Sequence, residues 1–193
     1  MLTVNEKKVL RLLIAAFSRD YSINQIAREC GLAPNGALKI LNKFEKEGIL
    51  AIKRIANLNS YRLNFENEKT KLILELALID AMEGRIKNRL DDLKGLKEAA
   101  KVCILFGSYT DLNKKPHDLD VLFVIDDYKK YKRKLASIIV PAKIHDVIQT
   151  KQDLKDNIAK GDEVVLSIIR KGTVLWGHKF IVEVIHDVYP GKA

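Results

Sequence analysis

Apolar residues recur at every third or fourth position through the first part of the chain and predict three helices. The first spans Val4 to Ser18. The second spans Ile23 to Cys30 and follows Ser22, a residue typical of the N-cap before a helix. Gly31 suits the left-handed conformation in which many helices end, and a third helix follows from Pro34 to Glu47. This succession predicts a small helical module at the N-terminus.

After the third helix come two β-like runs, Ile49 to Ile55 and Tyr61 to Phe65, whose short separation predicts a hairpin. Earlier in the chain, Ala27 and Gly31 have the spacing of a helix-turn-helix. In that motif a small residue lets the second helix approach closely, and a glycine permits the tight turn. Together, residues 1–65 resemble a winged helix-turn-helix domain of prokaryotic regulators. The resemblance implies that the third helix enters the major groove of DNA.

The same resemblance implies DNA contacts from polar side chains of the third helix and of the hairpin. Amide and lysine side chains suit base edges and phosphates, and hairpin cations suit the flanking backbone. The candidates are Asn35, Lys39, Asn42, Lys43 and Lys46 in the helix, and Lys53, Arg54 and Arg62 in the hairpin. Winged helices also dock proteins or dimerise, and lysines are common on exposed helices, so a role without nucleic acid stays open.

Residues 66–100 form a charge-rich stretch without proline that predicts a helical connection between two modules. Its apolar side chains lie at helical intervals, at Leu72, Leu76, Ile79, Met82 and Ile86. A dimer seam is one interpretation of this spacing. Because sustained heptads are absent, a helix that packs on the second domain is favoured.

From Lys101 onward, apolar strands alternate with helices, which predicts an α/β domain over residues 101–193. The predicted strands are residues 102–106, 119–125 and 143–148, and the predicted helices are residues 128–138, 151–159 and 162–170. Residues 173–176 and 180–188 are interpreted as β-like or mixed. The whole chain is therefore expected to be α/β (α+β), with a winged helix, a helical linker and an α/β domain in that order.

Composition narrows the classes of protein that the chain fits. With 47% hydrophobic and 31% charged residues, the composition is typical of a folded protein. The sequence contains no run of about 18 apolar residues, the length that would predict a membrane span. The first residues lack the pattern of a signal peptide, so a cytoplasmic location is expected. The net charge is +9, and residues 1–65 carry 11 Lys and Arg against 5 Asp and Glu. This excess favours a polyanionic partner for the N-terminal module.

The candidate chemistry lies in the second domain, where Gly107-Ser108 follows one predicted strand and Asp118-Leu119-Asp120 begins the next. A glycine at a strand-to-helix turn lets backbone N–H groups approach phosphate oxygens. Residues two apart on a strand point to one face, so Asp118 and Asp120 project together and form a ligand set suited to Mg²⁺. Asp146, on the next strand, is expected to complete a two-metal site, and alternation is expected to point His145 to the opposite face.

These residues resemble the motif of the DNA polymerase β-type nucleotidyltransferases, and best the small, minimal prokaryotic members. The resemblance implies a mixed sheet flanked by helices and transfer of a nucleoside monophosphate from an NTP, most simply ATP. Residue by residue, it implies that Ser108 binds the triphosphate and that Asp118 and Asp120 bind both metals. Asp146 would bind the catalytic metal and help to activate the acceptor hydroxyl.

The motif also departs from the family pattern. The basic residue and second glycine that often follow Gly-Ser are absent from Tyr109-Thr110-Asp111-Leu112, and His117 stands where many relatives have serine before the first aspartate. Lys114 and Lys115 are the candidates to supply the missing positive charge to the nucleotide. These departures leave open a degenerate domain that binds without catalysis.

The sequence fits two hypotheses about function, one an enzyme and the other a regulator. The first is a Mg²⁺-dependent nucleotidyltransferase with a DNA-binding module. The resemblance implies a helical partner of the HEPN type, as in toxin–antitoxin pairs, and a homodimer is expected because winged helices often pair over two half-sites. The alternative is a non-catalytic transcriptional regulator or antitoxin-type protein that uses a degenerate nucleotidyltransferase fold.

Overall fold

A computed structural model describes residues 1–15, 21–55, 58–80, 84–111 and 118–189 of the 193-residue chain. The chain forms two compact units. Unit 1 combines Met1–Leu78 with Ile185–Ala193, and unit 2 is Ile79–Val184. The division falls within the last helix of the chain.

The described residues form both helices and strands, which confirms the predicted α+β fold class. The helices are α1 (Val4–Ala15), α2 (Ile23–Cys30), α3 (Pro34–Lys46), α4 (Glu68–Leu78), α5 (Gly84–Leu93), α6 (Tyr128–Ala136), α7 (Lys151–Lys160), α8 (Glu163–Lys171) and α9 (His178–Val188). The strands are β1 (Leu50–Ile55), β2 (Leu58–Leu63), β3 (Ala100–Phe106), β4 (Asp118–Ile125), β5 (Lys143–Gln149) and β6 (Thr173–Trp176). No helix among these is long and apolar enough to cross a membrane.

Unit 1 begins with the three predicted helices, followed by an antiparallel β1–β2 hairpin. The predicted signals at α2 are confirmed: the Ser22 side chain accepts a hydrogen bond from the backbone N–H of Gln25, and Gly31 adopts φ +66°. The buried core of these elements contains Leu10, Leu41 and Phe44, each with no exposed surface. Local capping and a shared apolar face therefore account for the start of this unit.

Helix α4 belongs to unit 1 and is not a free connection. The Arg11 guanidinium of α1 donates hydrogen bonds to the carbonyls of Ala77 and Leu78, at 2.9 and 3.0 Å. The face of α4 that packs carries Leu74 and Ala77, whereas Leu72 is 62% exposed. Helix α4 therefore packs on α1, and its packed face is not the one that carries Leu72. The helical linker expected over residues 66–100 stays a prediction.

The end of the chain is helical, whereas a β-like or mixed structure is expected from the sequence for residues 180–188. Helix α9 buries Ile181, Val184 and Ile185, whose spacing of three and four positions fits one helix face. This helical period outweighs the β-propensity of the individual Ile and Val residues. Beyond α9, the Tyr189 hydroxyl accepts a hydrogen bond from the Leu63 backbone N–H at 2.9 Å. Residues 185–189 therefore belong to unit 1. The single domain expected over residues 101–193 stays a prediction from the sequence.

Unit 2 is built on a four-stranded sheet in the order β5-β4-β3-β6. Strands β4 and β5 are parallel, and β3 is antiparallel to both β4 and β6, so the predicted mixed sheet is confirmed. One face of the sheet contributes Leu119, Val121 and Phe123 to a core that also contains Tyr131 of α6. The alternate residues of β4 therefore point to the opposite face, where Asp118 and Asp120 lie.

Candidate functional site

The Gly-Ser turn and the acidic strand meet at one end of β3 and β4. Phe106, the last residue of β3, is the register partner of Asp120. The chain then forms a 3₁₀ turn over Gly107–Thr110, in which Gly107 adopts φ +69°. A side chain at Gly107 would collide with the Asp120 carboxylate, so only glycine allows this approach. The structure thus brings Gly107 and Asp120 together, with Ser108 next to them in the turn.

Asp118 and Asp120 project from the same face of β4 and are both partly exposed. The Asp120 side chain retains 32% of its surface. Their apolar neighbours on the strand, Leu119 and Val121, are fully buried on the opposite face. This alternation leaves two carboxylates on the accessible face of the sheet, at the start of β4.

Asp146 does not join this pair. Its register partner on β4 is Val121, so it lies on the buried face of the sheet. There its carboxylate accepts hydrogen bonds from the Tyr131 hydroxyl and the Lys132 ammonium, each at 3.0 Å. Burial raises the pKa of Asp146, but the hydrogen bonds from Lys132 and Tyr131 outweigh burial and hold it below its usual value. The expectation that Asp146 faces the aspartate pair is therefore wrong.

The reason lies in the alternation of β5 itself. Ile144 and Ile148 flank Asp146 at two positions on either side and pack against the buried core. Residues spaced by two share a face, so Asp146 is carried to the core side with them. The spacing of these two isoleucines is a signal in the sequence that predicts the observed orientation.

His145 takes the place that Asp146 was expected to occupy. It is the register partner of Asp120, and the His145 Nδ1 atom lies 3.6 Å from an Asp120 carboxylate oxygen. Lys143 is the register partner of Asp118 and is exposed. Across the parallel strands, the register partners of the two aspartates are therefore a lysine and a histidine.

A cavity of about 540 Å³ opens beside the Gly-Ser turn. Phe106, Gly107 and Thr110 form one wall, and helix α8 forms the other. The α8 residues share one helix face because each lies three or four positions from another of the set. They are Glu163, Val164, Ser167, Ile168 and Lys171. The volume lies in the range typical of small-molecule sites. The motif does not predict these residues, because α8 lies far from it along the chain.

The donor chemistry fits one hard cation better than two. Mg²⁺ is usually held by one or two carboxylates together with water and substrate phosphates. Asp118 and Asp120 can provide the carboxylates, and a bound nucleotide can provide the phosphates. Among the residues that the structure describes, no group of three or more His, Cys, Asp or Glu side chains is arranged to hold a metal ion. The arrangement fits a cation that arrives with a nucleotide. It differs from the predicted set of three carboxylates.

Three sequence candidates lie outside the described residues. They are Lys114 and Lys115, expected to contact the nucleotide, and His117, which precedes Asp118. Met82, expected on the apolar face of the helical connection, also lies outside them. Within the described part of unit 2, Lys171 is the lysine that lines the cavity.

In unit 1, the candidate DNA-contacting residues of α3 separate into two groups. Asn35, Lys39, Asn42 and Lys46 are exposed and recur at intervals of four, three and four, so they lie along one face of the helix. The opposite face carries Ala37 and Leu41, which are fully buried. We call these four exposed residues the α3 polar face.

Lys43 is held by α1 and does not belong to the α3 polar face. Its ammonium lies 2.7 Å from the carboxylate of Glu6, whose side chain is only 8% exposed. The same carboxylate accepts a hydrogen bond from the Thr3 backbone N–H. Burial raises the pKa of Glu6, but hydrogen bonds from Lys43 and Thr3 lower it overall. The predicted DNA-contacting role of Lys43 therefore competes with an ion pair that links α3 to α1.

The hairpin cations also divide between two faces. Lys53 pairs with Ser60 and Arg62 pairs with Ala51, so Lys53 and Arg62 share one face of the hairpin. Arg54 pairs with Asn59 and points to the other face. Only two of the three predicted hairpin contacts can therefore approach one surface together.

Comparisons with known proteins leave the chain without an assigned family, because no family model, no curated protein and no solved structure matches it. The interpretation of the site therefore depends on its own geometry.

Proposed function

We propose that unit 2 is a nucleotidyltransferase that binds a nucleoside triphosphate with Mg²⁺ and transfers its nucleoside monophosphate to an acceptor hydroxyl. The observation that carries this proposal is the contact between Gly107 and Asp120, which joins a phosphate-binding turn to a pair of carboxylates. The adjoining cavity has room for a nucleoside. ATP is the simplest substrate to test first.

Each group in the site has a chemical task in this proposal. The backbone N–H groups of the turn and the Ser108 hydroxyl orient the phosphates, and Asp118 and Asp120 hold the cation. Held by these two carboxylates, Mg²⁺ would supply positive charge to the phosphate oxygens. The acceptor oxygen forms a bond to the α-phosphorus, the bond from that phosphorus to the bridging β-phosphate oxygen breaks, and pyrophosphate and the hydroxyl proton are released.

A second function is favoured by the position of Asp146, whose carboxylate lies on the opposite face of the sheet from the aspartate pair. In this alternative, unit 2 binds a nucleotide without transferring it, and the chain acts as a regulator. Lys171 and Ser167 of α8 would then contact the nucleotide without turnover.

We also propose that unit 1 binds DNA through the α3 polar face and the hairpin. The regular spacing of Asn35, Lys39, Asn42 and Lys46 on one exposed face supports this proposal. A homodimer and an acceptor of the HEPN type remain predictions, and so does the role of the protein in a toxin–antitoxin pair.

The decisive experiment measures nucleotide binding and pyrophosphate release on the same protein preparation. Isothermal titration with each NTP and Mg²⁺ gives binding, and a coupled assay with and without cell extract gives turnover. The variant Asp118→Asn/Asp120→Asn should abolish both, whereas Asp126→Asn, a surface control beyond the end of β4, should leave both unchanged. Binding with turnover supports the enzyme, and binding without turnover under any condition supports the regulator. Absence of metal-dependent binding contradicts both.

A further inference from the structure

We infer that the site of unit 2 holds a single divalent cation and that residue 145, not residue 146, is the position where a ligand for a second cation is missing. This inference rests on the proposed nucleotide-binding function. It concerns how this chain departs from the two-metal site that its motif led us to expect.

The strand register identifies the position. The β5 residues that face Asp118 and Asp120 are Lys143 and His145, and neither is a carboxylate. A carboxylate at position 145 would lie directly across from Asp120, since register partners on neighbouring strands share a face. A second hard cation normally requires such an additional oxygen ligand.

Asp146 cannot replace the missing ligand by a local change. Its carboxylate is bound by Tyr131, which is fully buried, and by Lys132. Turning Asp146 to the other face requires β5 to slip by one residue, and that slip moves Ile144 and Ile148 out of the core. The core of unit 2 therefore keeps Asp146 away from the cation site.

The charge around the aspartate pair also matches one cation. Two carboxylates balance one divalent ion, and the exposed Lys143 is the register partner of Asp118 on the neighbouring strand. A positive charge at this position opposes the binding of another cation on the same face of the sheet. Strand β5, on which a third carboxylate was expected, thus contributes a positively charged side chain next to the aspartate pair.

The test counts bound Mn²⁺ ions on the full chain in the presence of a non-hydrolysable ATP analogue. Electron paramagnetic resonance of free Mn²⁺ and isothermal titration give the total number of ions bound per protein–analogue complex, including the ion that enters with the analogue. We expect one ion in the wild-type protein and two in His145→Asp. The control Val147→Asp adds the same charge on the same face of β5, but its register partner is Leu122, so it should still bind one ion.

A second readout is independent of ion counting. In His145→Asp, two carboxylates face each other across the strands, so its melting temperature without metal should fall and Mn²⁺ should restore it. Two ions in the wild-type protein overturn the single-cation inference while nucleotide binding stands. One ion in a folded His145→Asp overturns the assignment of position 145. Absence of any metal-dependent nucleotide binding in the wild type removes the proposed function itself.

Discussion

Gly107 shows how one residue can couple a turn to a carboxylate. Its φ of +69° is unfavourable for other residues, and a Cβ at this position would meet the Asp120 carboxylate. Gly161 provides a natural comparison, because it has φ +74° but open space where a Cβ would lie. The two glycines therefore separate the cost of backbone conformation from the cost of steric contact.

We predict that Gly107→Ala abolishes metal-dependent nucleotide binding, whereas Gly161→Ala leaves it within about twofold of wild type. Gly161→Ala should lower the free energy of unfolding by about 1 kcal/mol through backbone strain. Gly107→Ala should lower it further because Asp120 or the turn must move. Urea denaturation and nucleotide titration of both variants test this comparison. Equal effects of the two substitutions on binding would contradict the role given to the Gly107–Asp120 contact.

Asp146 has a structural role that a titration can reveal. Its pKa is lowered in the folded protein, so it stabilises the fold above the pKa of the unfolded chain, near 3.8. The stabilisation is lost as the pH falls through the lower, folded-state pKa. At neutral pH, Asp146→Asn should lower the free energy of unfolding by about 1 kcal/mol, because Lys132 loses its charged partner.

Denaturation of Asp146→Asn and wild type from pH 7 down to below pH 3.8 measures this difference. The gap in stability should narrow as the pH falls, since the wild-type carboxylate becomes protonated. Asp126→Asn, which removes an exposed ion pair with Lys101, should show little difference at either pH. If the Asp146→Asn gap stayed constant across this range, the carboxylate would not be the source of the stability.

At the scale of elements, the sequence predicts those features that depend on neighbours along the chain. The start and end of α2 follow from Ser22 and Gly31, and both are confirmed. The orientation of Asp146 depends on the register of β5 against β4, which is set by a core that includes α6. The wall of the cavity from α8 is equally non-local. Local signals therefore predict the turn and the acidic strand, whereas packing determines which side chains meet there.

Helix α3 carries lysines with two different tasks, and substitution can separate them. Lys39 is exposed on the α3 polar face, whereas Lys43 is paired with the buried Glu6. Lys39→Ala should weaken DNA binding several-fold and reduce the slope of log Kd against log salt by about 1. Lys43→Ala should lower the melting temperature more than Lys39→Ala, because it leaves the Glu6 carboxylate without its cation.

Fluorescence anisotropy with duplex DNA at several salt concentrations, together with thermal denaturation, distinguishes the two lysines. Glu6→Gln should resemble Lys43→Ala in stability and leave the salt slope close to wild type. A larger loss of salt slope in Lys43→Ala than in Lys39→Ala would place Lys43 at the DNA and contradict the division of α3 into two faces.

For the whole molecule, the two units divide the chain differently from the order of its motifs. Unit 1 contains the first three helices, the β1–β2 hairpin, α4 and the residues from Ile185 onward, so its chain is discontinuous. Both ends of the chain therefore contribute to the unit that carries the basic excess of the first 65 residues. Sequence order alone could not predict this return, because it depends on contacts such as the hydrogen bond between Leu63 and Tyr189.

The two proposed ligands should therefore protect different parts of the intact protein from hydrogen exchange. A Mn²⁺–nucleotide complex should slow exchange in the Gly107–Thr110 turn, the start of β4 and the cavity face of α8, which lie in unit 2. Duplex DNA should slow exchange in α3 and in the β1–β2 hairpin of unit 1. Ligand binding slows exchange where it stabilises the closed state, so peptide-level mass spectrometry can locate each site. The Asp118→Asn/Asp120→Asn variant should lose only the first pattern. DNA-dependent protection of the basic helix α6, without protection of α3, would place the nucleic-acid surface on unit 2 and overturn the role proposed for α3 and the hairpin.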